Sequence, residues 1–140
     1  MRALLPLGLF ALLTAQASPA ELEIQVQGLR NANGQVRLCL TRNPAHFPDC
    51  NGDPAAVRRS LAANAAASIR LRGIPPGVYA LSVIHDENGD GRLNRFMAIP
   101  REGFGFSRNP RIRMGPPRFD EVRFPLAGTA RQTVQMRYLL

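Results

Sequence analysis

Residues Val78–Ile84 (VYALSVI), followed at once by His85–Asn94 (HDENGDGRLN), decide how this chain folds. The first run is almost continuous in apolar and β-favouring residues, which is typical of a central strand buried on both faces. The second run carries side-chain oxygens at alternating positions, as calcium-binding loops do. No helix-forming sequence precedes it, so the scaffold is not an EF-hand. We therefore expect a central β-strand that ends in an oxygen-rich loop.

The spacing of this loop predicts a calcium site. Gly91 stands at the sixth place, where such a loop turns sharply, but Met97 replaces the bidentate glutamate of the twelfth place. Calcium takes six to eight oxygens, so a remote carboxylate is needed, and Glu102 is the candidate. Because the loop has few carboxylates, we expect weak calcium binding, with a dissociation constant of about 10⁻⁴–10⁻³ M. The predicted ligands within the loop are Asp86, Asn88, Asp90, the backbone carbonyl of Arg92, and Asn94.

A metal-free turn is the alternative interpretation of the same loop. Asn88-Gly89 and Asp90-Gly91 are both common turn pairs, and either would suit a hairpin that follows a central strand. The loop spacing is compatible with both interpretations.

The first twenty residues predict a cleaved signal peptide. A positive Met1-Arg2 precedes an apolar run over residues 3–13, and small residues fit cleavage after Ala17 or Ala20. The run is shorter than the roughly 20 residues that a retained transmembrane helix needs. We expect a periplasmic or secreted protein whose single domain spans residues 21–140 and does not cross the membrane.

The two cysteines, Cys39 and Cys50, predict one disulfide in an oxidising compartment. In the entropic model, closing a loop of this length stabilises the folded protein by roughly 2–3 kcal/mol. Two unpaired buried thiols remain the alternative.

The charge of the chain is strongly basic, at +8, and every basic residue is arginine. An exported protein of this charge suits an anionic envelope polymer, a carbohydrate or an envelope protein, whereas nucleic acid is a poor candidate because export separates the two. Arginine chosen through genomic composition, serving only solubility, is the simpler alternative.

Period-two alternation dominates the rest of the chain and indicates an all-β fold. Strands at residues 21–27 and 36–40 flank Asn33-Gly34, a strong hairpin signal, and we expect them to pair with each other. Pro54–Asn64, rich in alanine, is the only predicted helix. Further strands are expected at residues 66–71, 120–126 and 133–139. Six or seven short strands with Pro/Gly turns predict a single antiparallel β-sandwich.

A long Gly/Pro-rich segment, Arg95–Arg118, follows the oxygen-rich loop, and long irregular segments in compact domains are usually functional. Aromatic rings among arginines would suit an anionic or carbohydrate-like ligand through stacking and bidentate contacts. The alternative is that the rings pin the segment onto the sandwich while the arginines are solvated. The candidate ligand-binding residues are Phe104, Phe106, Arg108, Arg111, Arg113 and Arg118.

Several blocks of this sequence resemble known exported sandwiches. Ile74–Leu81 (IPPGVYAL) resembles the strand entry of transthyretin-like and carboxypeptidase-regulatory-like domains. Together with His85–Asn94, Ile99–Ser107 (IPREGFGFS) and Gly115–Phe119 (GPPRF), it is similar to an exported bacterial family, domain of unknown function 2141. The resemblance implies export and a β-sandwich, and it implies no activity.

No motif in the chain predicts catalysis, because G-x-S-x-G, H-E-x-x-H and paired C-x-x-C are all missing. His85 and Asp86 could be interpreted as a hydrolase-like base and its orienting carboxylate. Adjacent residues of a strand point to opposite faces, however, so the two side chains would not face each other. We therefore expect a non-catalytic envelope module, either calcium-stabilised or purely structural without a metal.

Overall fold

The computed structural model describes residues 10–13, 17–91, 95–96 and 99–140, with the backbone alone for residues 95–96 and 99–100. These described residues form ten strands, two short 3-10 turns at Pro44–His46 and Ala63–Ala65, and one helical turn, α1, at Phe119–Val122. The strands are β1 (Ala20–Gln27), β2 (Gln35–Thr41), β3 (Val57–Ala62), β4 (Ser68–Ile74), β5 (Gly77–Asp86), β6 (Arg95–Phe96), β7 (Ile99–Pro100), β8 (Gly103–Phe106), β9 (Phe124–Leu126) and β10 (Thr129–Gln135).

Two main sheets build the domain, and the predicted all-β sandwich is confirmed. One sheet has the order β10-β1-β4, and the other has the order β3-β2-β5-β8, with β9 pairing beside the start of β5. A separate two-stranded ribbon joins β6 and β7. The pairing of β1 with β10 is parallel, while the other pairings are antiparallel. Strand β5 has neighbours on both sides, as its apolar run predicts.

The main core lies between the sheets and is built from alternate residues of the facing strands. Apolar side chains that are fully buried here include Leu22, Ile24, Val36, Leu40, Leu81, Val83 and Val134. A second, smaller cluster covers the opposite face of β5, around Ala80, Phe104, Phe106 and Val122. Strand β5 is therefore buried on both faces, so its closing residues His85 and Asp86 are held in fixed positions.

The predicted hairpin between the first two strands is wrong. Strand β1 pairs with β4 and β10, and β2 pairs with β3 and β5, so Asn33-Gly34 connects two different sheets. Gly34 has a φ of +65° and lies so close to the end of β5 that a Cβ would collide with the carbonyl oxygen of Asp86. A glycine that permits a hairpin turn also permits this close approach, and the sequence does not distinguish the two.

The predicted helix at Pro54–Asn64 is also wrong, because this stretch forms β3 and the following 3-10 turn. Val57 and Leu61 pack against the main core, and their spacing of four places them on one face of a helix or of a strand alike. Pairing with β2 selects the strand over the helical preference of the alanines.

The last strands are shifted from their predicted bounds. Residues 119–122 form α1, where the carboxylate of Glu121 accepts a hydrogen bond from the Arg118 N–H at 2.7 Å. Strand β10 begins at Thr129 and ends at Gln135, before Tyr138. Among the described residues, no helix is long and apolar enough to cross a membrane.

Candidate metal site at the end of β5

Asp86 is the last residue of β5 and has no exposed side-chain surface. One carboxylate oxygen, Oδ2, accepts a hydrogen bond from the Gly91 N–H at 2.7 Å. Gly91 has a φ of +76°, a conformation that favours glycine, so the loop can curl back to make this contact. The other oxygen, Oδ1, is buried and has no hydrogen-bond partner among the described residues. An unpartnered buried carboxylate oxygen is costly unless something else binds it.

The loop after Asp86 folds back on itself through its own amides and carboxylates. The Gly89 N–H donates to the carbonyl of Asp86 at 3.3 Å, and the Asp90 N–H donates to Asn88 Oδ1 at 3.2 Å. Asn88 Nδ2 also donates to the Asp90 carboxylate at 3.2 Å. Local hydrogen bonds of this kind help to shape the turn.

Three carboxylates converge at this loop. Asp86, Asp90 and Glu102 each offer one oxygen, and these oxygens lie within 4.8 Å of one another. Glu102 arrives here because β8 pairs with β5 so that Gly103 lies opposite His85, which brings the preceding residue beside Asp86. Glu102 is 3% exposed, whereas Asp90 faces solvent. The predicted remote carboxylate is therefore next to the predicted loop carboxylates.

The geometry fits a hard divalent cation. Two oxygens bound to one calcium ion, each at about 2.3–2.6 Å, lie at most roughly 5 Å apart. Three carboxylates at this separation repel one another by about 1–3.5 kcal/mol per pair between fully aqueous and protein-like dielectric values. A cation bound by these three oxygens would relieve that repulsion. Of the other predicted ligands, Asn88 lies in the loop with its amide directed at Asp90, and Arg92 and Asn94 lie outside the described residues.

An arginine stands beside this cluster. Arg37 Nε lies 3.9 Å from Asp86 Oδ2, and its Nη1 donates to the Gly91 carbonyl at 2.7 Å. No sequence pattern predicts this contact, because Arg37 lies on β2, far from the loop along the chain.

His85 points to the other side of β5 and is fully buried in a hydrogen-bonded network. Its Nε2 pairs with the carbonyl of Asn33 at 2.8 Å, so Nε2 carries the proton. Its Nδ1, 2.7 Å from the Tyr138 hydroxyl, then accepts from that hydroxyl. Burial raises the pKa of Tyr138, which keeps the hydroxyl protonated for this role. Both ring nitrogens of His85 are thus engaged within the protein.

Arg30 connects this network to the loop that follows Asp86. Its guanidinium stacks 4.4 Å from the centre of the Tyr138 ring, donates to Glu87 at 2.8 Å and donates to the carbonyl of Arg101 at 3.0 Å. Burial pushes the pKa of Glu87 upward, but hydrogen bonds from Asn31 and Arg30 outweigh it, so the pKa is lowered overall. Glu87 is therefore half-buried within this network. No local pattern pointed to this network, because its members are distant in sequence.

The disulfide predicted between Cys39 and Cys50 is present, with 5.7 Å between the Cα atoms. Both residues are buried. The loop that it closes is also held by the Thr41 hydroxyl, which donates to Asp53 at 2.6 Å. That hydrogen bond lowers the pKa of Asp53. The disulfide loop is thereby fixed to the end of β2.

The predicted ligand-binding segment divides into buried rings and exposed arginines. Phe104 and Phe106 are 6% and 5% exposed and belong to the second hydrophobic cluster, where Phe47 and Phe119 pack against it. These rings pin the segment onto the sandwich and are not available for stacking by a ligand at the surface. The exposed members of the predicted set are Arg108, Arg111, Arg113 and Arg118.

Residues 24–135 match the bacterial family described as "Uncharacterized protein conserved in bacteria (DUF2141)". The chain belongs to this family. The match runs from the middle of β1 to the end of β10 and includes the oxygen-rich loop and Glu102, so the carboxylate cluster lies within the family's domain. No curated protein and no solved structure matches the chain.

Proposed function

We propose that this protein is an exported, non-catalytic β-sandwich module whose fold is stabilised by calcium bound at Asp86, Asp90 and Glu102. The observation that carries the proposal is the convergence of three carboxylates, one of which, Asp86, has a buried oxygen with no hydrogen-bond partner among the described residues. Calcium would join the end of β5 to the residue before β8, and so would hold the long segment that follows the loop. The ion acts as a structural clasp in this proposal.

Export is supported by the signal-like first twenty residues and by the disulfide, since disulfides persist mainly outside the cytoplasm. Thiol titration of the native protein should find no free thiol, and two free thiols would refute the oxidised state. A non-catalytic role is supported by the burial of His85, whose two ring nitrogens are both engaged.

Thermal unfolding in calcium and in chelator tests the clasp. A ligand that binds only the folded state stabilises by RT ln(1 + [L]/Kd), which at 10 mM calcium and a Kd of about 0.1–1 mM is about 1.4–2.7 kcal/mol. The wild type should therefore melt higher in calcium, and Asp86→Ala should lose this response. Asp120→Asn is the matched control, because Asp120 is an exposed carboxylate on α1, outside the cluster. A wild-type melting curve that is unchanged at 10 mM calcium would remove the proposal.

A second candidate function is binding of an anionic envelope polymer through the exposed arginines. Among the described residues, no carboxylate lies within ion-pair distance of Arg108, Arg111, Arg113 or Arg118. Their charge is therefore available to a partner. The double variant Arg111→Ala/Arg113→Ala should elute from an acidic polymer at lower salt than the wild type. The control Arg70→Ala/Arg72→Ala removes the same charge from arginines that already pair with Glu21. If both double variants elute at equally lowered salt, the arginines of the segment Arg95–Arg118 have no specific role in binding the polymer.

A further inference from the structure

Arg37 reaches the carboxylate cluster because of the register between β2 and β5. It lies opposite Ile84, and Asp86 follows two residues later on the same face of the sheet. Diagonal neighbours across an antiparallel pair are within reach of long side chains. The position of Arg37 is thus fixed by two paired strands rather than by a loop.

The contact between Arg37 and Asp86 is electrostatic rather than a bidentate hydrogen bond. Arg37 Nε lies 3.9 Å from Asp86 Oδ2 and has no hydrogen-bond partner among the residues that the structure describes. Its Nη1 is instead tied to the carbonyl of Gly91, at 2.7 Å, on the turn of the loop. Asp86 has no exposed surface, so solvent screens this pair weakly. The guanidinium is therefore held beside Asp86, and its Nε–H has no hydrogen-bond partner in the described part of the chain.

We propose that Arg37 is a built-in counter-cation that competes with calcium and keeps the affinity of the site weak. This inference rests on the proposed calcium function. Without metal, the positive charge of Arg37 offsets part of the carboxylate repulsion. With metal, the same fixed charge repels the divalent ion and raises its dissociation constant. Arginine suits this role because its charge does not titrate in the physiological range.

The two effects have opposite signs, which separates this role from a purely structural one. Removing the charge should destabilise the metal-free protein and tighten calcium binding. A purely structural arginine would, when removed, lower stability equally in chelator and in calcium, and would leave the affinity unchanged or weaker.

The test compares calcium titrations of the full chain, followed by calorimetry and by thermal unfolding, for three variants. Arg37→Gln should lower the calcium dissociation constant by about 10-fold or more, because a full positive charge beside a divalent ion is removed. It should also melt lower than the wild type in chelator and show a larger rise in calcium. Arg37→Lys keeps the charge and should restore a near wild-type affinity. Arg58→Gln makes the same charge change on the exposed edge strand β3 and should leave the affinity within about 2-fold.

Equal or weaker calcium affinity in Arg37→Gln, with the wild type still responding to calcium, would overturn the role of Arg37 and leave the calcium site intact. No calcium response in the wild type and in Arg37→Gln would remove the site itself. If Arg37→Gln does not fold in chelator, we expect calcium to restore its fold, and failure to fold at 10 mM calcium would also overturn the inference.

Discussion

Replacing Asp90 with asparagine should stabilise the metal-free protein and weaken its response to calcium. Asp90 is the solvent-exposed member of the carboxylate cluster, so the substitution removes one charge and keeps the side-chain shape. Its oxygen lies within 4.8 Å of oxygens of both Asp86 and Glu102. At that distance, the aqueous Coulomb repulsion is about 1 kcal/mol per pair. Relieving two pairs should raise the free energy of unfolding in chelator by about 1–2 kcal/mol.

The calcium response should fall at the same time. If losing one of three carboxylates weakens binding about tenfold, the stabilisation at 10 mM calcium drops from about 1.4–2.7 kcal/mol to about 0.4–1.4 kcal/mol. For a domain of this size, 1 kcal/mol corresponds to a melting shift of about 3–6 °C. Differential scanning calorimetry in chelator and in 10 mM calcium resolves both changes.

The control for this prediction is Asp120→Asn, which removes the same charge from a carboxylate that is 74% exposed on α1. It should change stability by less than about 0.5 kcal/mol and keep the full calcium response. If Asp90→Asn melts lower than the wild type in chelator, or keeps the full calcium response, the cluster is not under the repulsion that its geometry indicates.

Two further predictions concern the network behind the loop. Tyr138→Phe should cost about 1–3 kcal/mol, measured by urea unfolding, because it leaves the buried Nδ1 of His85 without a donor; a cost below 0.5 kcal/mol would contradict the hydrogen-bond assignment. Glu87→Gln should lower stability at pH 7, and this difference from the wild type should shrink as the pH falls below 4.5, measured by unfolding at a series of pH values. The pKa of Glu87 is lowered from 4.5 in the folded state, so its contribution is present above that value and is lost as the pH falls through the folded pKa. A constant difference between variant and wild type across this range would show that the charge of Glu87 is not responsible.

The sequence predicted the all-β class, the central strand and the oxygen-rich loop at its end because these depend on local patterns. Alternation of apolar and polar residues marks strands, and Asp/Asn/Gly spacing marks the turn. The disulfide followed in the same way from cysteine count and compartment. Each of these features is settled by residues close together in the chain.

Strand pairing could not be predicted in this way. The alternation in β1 and β2 is equally compatible with one hairpin or with two separate sheets, and the glycine between them suits both. The spacing of Val57 and Leu61 fits a helix face and a strand face equally well. In both cases the local pattern is present, but the strand with which each segment pairs is determined by residues elsewhere in the fold.

The candidate metal site likewise combines features set by the local sequence with features set by the tertiary structure. The sequence by itself determined that Asp86 and Asp90 share one tight loop, because three intervening residues leave them little freedom. Only the tertiary structure decided that Glu102 returns beside them, through the β5–β8 register, and that Arg37 stands across from them, through the β2–β5 register. Register joins residues that are distant along the chain, and it depends on which side chains can be buried together. The oxygen-rich loop is therefore a local feature of the sequence, whereas the charged side chains that surround it, Glu102 and Arg37, are placed there by the pairing of strands in the sandwich.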